Sequence, residues 1–231
     1  MSAVQVAHVA LWSTATLLSY WVARRIHAKW RRWWATPLLI APALLVVAML
    51  AFRVPYGDYA AGAGWLVTML GPATVAFAIP IYEQRALVRR HWLVLLVGGL
   101  AGSVTAVVSS WALATLLQVD GLLRLSLVPR STSTPFAMAV SARIGGVPEL
   151  TAIFVVVTGV LGALMGEWLL ARLPVRSRLA RGALLGAGAH AMGTAKAYEI
   201  GHTEGTVAAL VMVTVGLLNV MSAPLLARVL R

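Results

Sequence analysis

Apolar stretches about 20 residues long recur along the whole chain, and most of the basic residues fall in the short segments between them. Wound as helix, a stretch of that length crosses a hydrocarbon core of about 30 Å. In such a medium only elements that satisfy their own backbone hydrogen bonds are stable. Only 11% of the 231 residues are charged and 60% are hydrophobic, with a mean hydropathy of +0.85. Soluble domains carry about 25% charged residues, so the sequence predicts an all-α integral membrane protein forming one membrane domain over 1–231, with membrane lipid as its solvent.

The formal charge of +12 does not mark a nucleic-acid binder, because the Lys and Arg residues are loop-bound and form no separate basic domain. Cys is absent, which removes disulfides, thiolate metal sites and cysteine nucleophiles, and no His/Asp/Glu cluster has metal-ligand spacing. Neither a metal nor a cofactor is expected. The basic cluster Arg24, Arg25, Lys29, Arg31, Arg32 follows the first apolar run rather than preceding it, so that run reads as an uncleaved anchor.

The positive-inside rule orders the segments. Ala3–Val22 is expected to run from outside to its basic cytoplasmic flank, Pro37–Phe52 to return outward, Gly62–Tyr82 to come in to Glu83, Arg85, Arg89 and Arg90, and Trp92–Leu117 to go out. Glu149–Leu170 ends at Arg172, Arg176, Arg178 and Arg181, so it must run inward, and both ends of Gly121–Pro148 then lie outside. A segment that short and polar is expected to dip in and out as a re-entrant hairpin. Leu179–Ile200 is read as going out and Thr206–Leu226 as coming back to a cytoplasmic Arg228. The expectation is therefore about seven transmembrane helices plus one re-entrant hairpin, N-terminus outside and C-terminus inside, in a bacterial cytoplasmic membrane. The parts are 1–35 (first span and basic loop), 37–117 (first repeat), 121–148 (hairpin) and 149–231 (second repeat). The two repeats have opposite orientation, and the middle span of each carries a helix interruption, Gly71-Pro72 in one and Gly186, Gly188, Gly193-Thr194 in the other. Broken helices in corresponding positions of inverted repeats point to a transporter site.

Three interruptions are expected at one depth: Pro72, the hairpin apex at Thr134-Pro135, and the region of His190. Ser131-Thr132-Ser133-Thr134-Pro135 reads as a cap followed by an N1 proline, and Gly71-Pro72 repeats that logic with Gly at the cap. Gly193-Thr194 is a candidate start for a third half-helix. Half-helix N-termini favour an anion, and the hydroxyls of Thr74, Ser131, Ser133, Thr134 and Thr194 would hold a carboxylate and a neighbouring oxygen. Phe136 and Met138 would limit its size. His190 is either a packed residue or, since an ionisable group at this depth is costly, a functional one and the candidate for coupling to an ion. Lys196 either faces the site or snorkels away from it. Glu199, His202 and Glu204 are expected at the outer end, solvated or gate-forming. Trp21, Trp33, Trp34, Trp92 and Trp168 fall near span ends, as in an interfacial aromatic belt.

Leu70-Gly71-Pro72-Ala73-Thr74-Val75-Ala76 continuing to Ile79-Pro80-Ile81-Tyr82, the Ser131–Pro135 run, and Ala189-His190-Ala191-Met192-Gly193-Thr194-Ala195 together resemble the LrgB/CidB family of membrane proteins. The resemblance covers nearly everything from Leu38 onward. It implies two kinds of function. One is antiholin-like control of murein hydrolases and cell lysis beside a small holin-like partner membrane protein. The other is transport, since the plastid glycolate/glycerate translocator is similar over this region and bacterial relatives are associated with pyruvate uptake. The chain departs from the commoner family pattern at Arg130 (Lys) and Lys196 (Arg), which keep the charge but not the fork geometry, and also at Ser133 (Thr) and Phe136 (Ile).

The leading expectation is a secondary transporter of a small organic anion, a 2-hydroxy or 2-keto monocarboxylate, by alternating access. Its site is expected at Gly71, Pro72, Thr74, Ser131, Ser133, Thr134, Pro135, His190, Gly193, Thr194 and Lys196. The competing expectation is a regulator that acts through a holin-like partner. An enzyme is not expected, because His190 has no evident nucleophile or orienting acid at its depth. A homodimer is expected from the prevalence of symmetric pairs.

Overall fold

The computed structural model describes residues 3–30, 35–76 and 78–230. Among them every regular element is helical, as the sequence predicts. The chain divides into two compact units, Met1–Ala73 and Thr74–Arg231.

In the first unit, α1 (Ala3–Trp30) and α2 (Pro37–Ala51) pack together, and α3 (Tyr56–Ala63) lies on the N-terminal half of α1. The contact with α3 depends on Gly62, since a Cβ there would meet the Trp12 side chain at 2.7 Å. His8 Nε2 reaches the Asp58 carbonyl at 2.7 Å and the Trp65 indole donates to Ser13 Oγ at 2.7 Å, closing the same face. The predicted continuous span Gly62–Tyr82 is not one helix. It is divided into α4 (Trp65–Thr68), α5 (Leu70–Ala76) and α6 (Ala78–Glu83), with the first breaks at Gly64 and Met69. Trp33 and Trp34, and Arg31 and Arg32, lie outside the described residues.

The second unit holds three long apolar helices: α7 (Arg85–Leu116), α10 (Pro148–Arg172) and α12 (His202–Val229). With Gln5–Trp30, they make four helices long and apolar enough to cross a membrane, and Pro37–Ala51 is a shorter apolar one. Their outward faces are fit for lipid. Ile153, Val157, Leu161, Met165 and Trp168 line α10 at near-helical spacing, and Val97, Val104 and Val108 line α7, all about half exposed. Such a surface is stable in hydrocarbon and not in water. At the basic end of α10 the Arg172 guanidinium lies 4.2 Å from the Trp168 ring, an interfacial pairing of the kind expected at a belt.

Glycine contacts fix the helix directions. A Cβ on Gly99 would lie 3.2 Å from Leu218 and 3.7 Å from Val215, and Ser103 bonds to Asn219, so α7 and α12 advance in the same direction. Phe136 abuts Gly216, while Ile144 packs with Ala223, so α9 (Thr134–Ile144) also runs that way. It is the second limb of a helical hairpin whose first limb is α8 (Gly121–Leu127) and a 3-10 turn (Val128–Ser131), with the reversal at Thr132-Ser133. The base of this hairpin is bound to α10 by buried hydroxyls. Thr151 Oγ1 donates to Ser141 Oγ at 2.7 Å and lies 2.9 Å from the Ser126 carbonyl, and the Val147 N–H donates to Ser126 Oγ at 2.8 Å. Gly145 ends α9 at φ 90, a left-handed cap that glycine adopts without steric cost.

The segment Leu179–Ile200, expected as a crossing helix, is instead a second hairpin. Its helix α11 (Arg178–Ile200) breaks at His190, where φ is 46 and ψ is −122. In a straight helix Gly193 and Leu185 would be about 12 Å apart, yet a Cβ on Gly193 would overlap the Leu185 carbonyl, and Ala197 shares a core cluster with Leu185 and Ala208. Lys196 reaches Glu167, on the turn of α10 whose Gly166 touches Leu185. The limbs 178–189 and 191–200 therefore lie side by side.

The reversal corrects two expectations of the last two segments. Gly182 packs on the Glu204 carbonyl and Gly186 on that of Ala208, so α12 starts level with the start of α11, beside the basic loop after Arg172. Glu199, His202 and Glu204 accordingly sit at that basic end rather than the far end. Arg228 lies at the opposite end of α12, level with Leu125 and Ile144, because Ala227 and Leu230 pack on that cluster. A pattern of about 23 apolar and small residues is the same whether a helix crosses or folds back at its middle, which is why sequence length alone reads a crossing here.

Candidate functional site

The two hairpins enter from opposite ends of the second unit, and their turns fall level with the middle of the long helices. Phe136, in the first turn of α9, packs with Met212 and Val213 and abuts Gly216, all near the centre of α12. Met192, two residues past the other turn, lies 3.3 Å from where a Cβ on Gly159 would be, near the centre of α10. Met212 links the two: Thr194 Oγ1 is 3.9 Å from its sulfur, while its other contacts include Phe136. The 3-10 turn of the first hairpin also packs on α11. Arg130 lies in that turn.

Local sequence explains each turn. In the first hairpin, Pro129 and Pro135 limit both limbs, and Thr132 closes the 3-10 turn with its hydroxyl on the Pro129 carbonyl at 2.9 Å. Ser133 takes the extended conformation of an N-cap, with Thr134 and Pro135 following in the first helical turn. Its hydroxyl does not cap the helix. Ser133 is 4% exposed and its Oγ has no hydrogen-bond partner. In the second hairpin the turn is a single residue, His190, at a positive φ that residues with a Cβ rarely adopt. His190 is 3% exposed, and its Nε2 also lacks a hydrogen-bond partner. An orphaned buried polar atom costs about 1–3 kcal/mol, and a backbone outlier of this kind a similar amount. Both occur at the turns of the two hairpins, which Met212 links through its contacts with Thr194 and Phe136.

The remaining predicted residues fall as follows. Ser131, Thr134 and Pro135 are half-buried at the first turn, and Gly193 is buried beneath the second. Thr194 is half-buried with its hydroxyl on Met212. Lys196 is drawn away from the turn: its Nζ lies 3.0 Å from Glu199 Oε2 and 3.2 Å from Glu167 Oε1. Gly71 and Pro72 are exposed in the seven-residue α5, within the first unit. Thr74 lies in the same short helix, and its side chain lies outside the described residues. Arg130, which immediately precedes the Ser/Thr run, is half-buried in the 3-10 turn.

Among the described residues, no group of three His, Asp or Glu is placed to hold a metal ion. A cavity of about 330 Å³ lies between α7, the first limb of α11 and α12, lined by Leu95, Gly99, Ala183, Ala187 and Val211 among others. Its walls are mainly apolar, with His91 and Ser177 the polar side chains among them.

Residues 16–229 match the LrgB-like family. The chain is 39% identical over 211 residues to the uncharacterized protein YwbG of Bacillus subtilis, covering 91% of this chain and 94% of that protein. It is 31% identical to an uncharacterized protein of Haemophilus influenzae, covering 94% of each. The antiholin-like protein LrgB of Bacillus subtilis is 32% identical over 189 residues, covering 82% of each chain. No solved structure matches. A family match over nearly the whole chain, agreeing with the motifs at the two turns, leads to one conclusion: the chain belongs to the LrgB-like family of membrane proteins.

Proposed function

We propose that the protein is a secondary transporter of a small organic anion, with the site at the two hairpin turns. The observation that carries the reading is the pair of buried, unpartnered polar atoms, Ser133 Oγ and His190 Nε2, on hairpins that enter from opposite ends. In a bilayer both hairpins are re-entrant, and their turns lie near the midplane. A site so placed can be opened to either side by moving one hairpin, the geometry that alternating access requires. The arrangement α7, hairpin, α10 is repeated with opposite sense as α10, hairpin, α12, an inverted repeat that shares its middle helix. Ser133, Thr134 and the N-terminus of α9 hold the anion, His190 contacts it from the other hairpin and is the candidate for proton coupling, and Thr194 borders the site. Phe136 and Met212 restrict it to a small molecule, for which 2-hydroxy and 2-keto monocarboxylates such as glycolate, glycerate and pyruvate are the class proposed.

In this reading the protein sits in a bacterial cytoplasmic membrane with the loops around Arg89 and Arg176 inside. The basic end of α1 is inside too, its N-terminus is outside, and the end of α12 is outside. The functional unit is a homodimer.

A second reading is favoured by the comparisons: the 32% identical relative bears the name antiholin-like protein. Under it the chain regulates murein hydrolase activity and lysis together with a small holin-like membrane protein. That name supports regulation more directly than it supports transport. The second unit's geometry supports transport, since a scaffold has no need of two midplane turns with orphaned polar atoms.

Uptake of labelled pyruvate, glycolate and glycerate into proteoliposomes containing this protein alone, with and without a proton gradient, separates the readings. Saturable uptake that is lost in His190→Ala supports transport. Absence of uptake of all three from folded protein leaves the regulatory reading.

A further inference from the structure

The charge that makes the site select an anion is not supplied by any residue that the transport reading has so far used. Ser133 and His190 offer a hydroxyl and a ring nitrogen. A helix N-terminus offers about half a charge and is weakened wherever water enters. Lys196 is held by Glu167 at 3.2 Å and Glu199 at 3.0 Å, on the returning limb and away from the turn, and Arg178 and Arg181 stand at the base of that second hairpin, where Arg181 Nε donates to the Val175 carbonyl at 2.8 Å. Arg143 and Arg124 stand near the base of the first hairpin, where Arg124 stacks at 4.4 Å on Trp111.

Arg130 differs from all of these. It is half-buried in the 3-10 turn three residues before Ser133, on the part of the first hairpin that packs against α11. Among the described residues of the second unit no carboxylate forms an ion pair with it, although Glu83, Asp120, Glu149, Glu167, Glu199 and Glu204 are all described. A guanidinium taken partly out of water without a counter-ion is unfavourable unless an anion joins it. Its planar fork matches both oxygens of one carboxylate, which an ammonium cannot do.

We propose that Arg130 is the specificity-determining cation of the site: it binds the substrate carboxylate by its two parallel N–H donors, while Ser133 Oγ and His190 Nε2 take the remaining polar group of the molecule. The inference rests on the transport reading and adds its selectivity. A solute with a single carboxylate and a neighbouring hydroxyl or carbonyl oxygen satisfies all three groups. A neutral analogue of the same shape leaves the guanidinium unpaired and is rejected, and a site of this kind discriminates strongly because its own buried groups pay for the wrong ligand.

The test is uptake of labelled glycolate by proteoliposomes of the wild type, Arg130→Gln and Arg130→Lys, with unlabelled glycolate or glycolamide as competitor. Expected are a KM at least tenfold higher in Arg130→Gln, an intermediate value in Arg130→Lys, and loss of the preference for glycolate over glycolamide in Arg130→Gln alone. Arg130→Lys keeps the charge, so retained uptake there shows that the site still folds. An Arg130→Gln protein whose KM stays within twofold of wild type, or that still prefers glycolate over glycolamide, overturns the assignment while leaving transport standing. A wild type that takes up no carboxylate overturns the transport reading, and this assignment with it.

Discussion

At the scale of single residues, the informative ones are those whose local chemistry is unfavourable. His190 occupies φ 46 without being glycine, so replacing its ring by nothing and by a methyl should give an inverted order. In a helix Gly is about 1 kcal/mol worse than Ala. At position 190 we expect His190→Gly to be more stable than His190→Ala by about 1 kcal/mol in thermal unfolding, because only Gly adopts this turn without strain. An Ala variant at least as stable as the Gly variant would mean that the chain does not turn there. Ser133 and Thr151 make a second contrast. Ser133 Oγ bonds to nothing in the protein, so Ser133→Ala should cause none of the usual loss for an N-cap, and removing an orphaned buried hydroxyl should raise stability by up to about 1–3 kcal/mol. Thr151 Oγ1 ties Ser141 to α10, so Thr151→Val should cost about 1–3 kcal/mol. Equal losses in the two variants, measured by denaturation in detergent, would remove the distinction between a ligand-facing hydroxyl and a structural one.

At the scale of elements, the two hairpins are held differently. The first is fastened at its base by fully buried hydroxyls of Ser126, Ser141 and Thr151. The second has, on its returning limb, the ion pair of Lys196 with Glu167, whose side chains are 30% and 58% exposed. Exposed pairs contribute about 0–1 kcal/mol, so this limb is the easier one to release, and it is the element expected to move. Glu167→Gln should leave global stability within about 1 kcal/mol and raise amide exchange over 191–200. Unchanged exchange on that limb would show that the pair does not hold it. The first hairpin could be read from the sequence because Pro129 and Pro135 bracket a Ser/Thr run, and proline both ends and starts helices. The second could not. Its turn is a histidine, and its glycines serve close packing, Gly182 on the Glu204 carbonyl and Gly193 on that of Leu185, rather than interruption. Hydropathy counts residues along a helix and does not register that the helix doubles back.

At the scale of the whole molecule, the helical membrane class followed from composition, and the family from the motifs around Pro72, Pro135 and His190. The number and sense of the crossings did not, because one segment mistaken for a span inverts everything after it. The polar residues of the site were visible as types, whereas their grouping depends on two turns that only tertiary packing brings level. The central claim is that the hairpins enter from opposite faces, and the absence of Cys makes it testable with single cysteines. We would label Arg176→Cys, His202→Cys and Ala142→Cys in intact cells and in opened membranes with an impermeant thiol reagent. All three positions are exposed. The account predicts that 176 and 202 react from one face and 142 from the other. Reaction of 202 from the same face as 142 would make α11 a crossing helix and contradict the account.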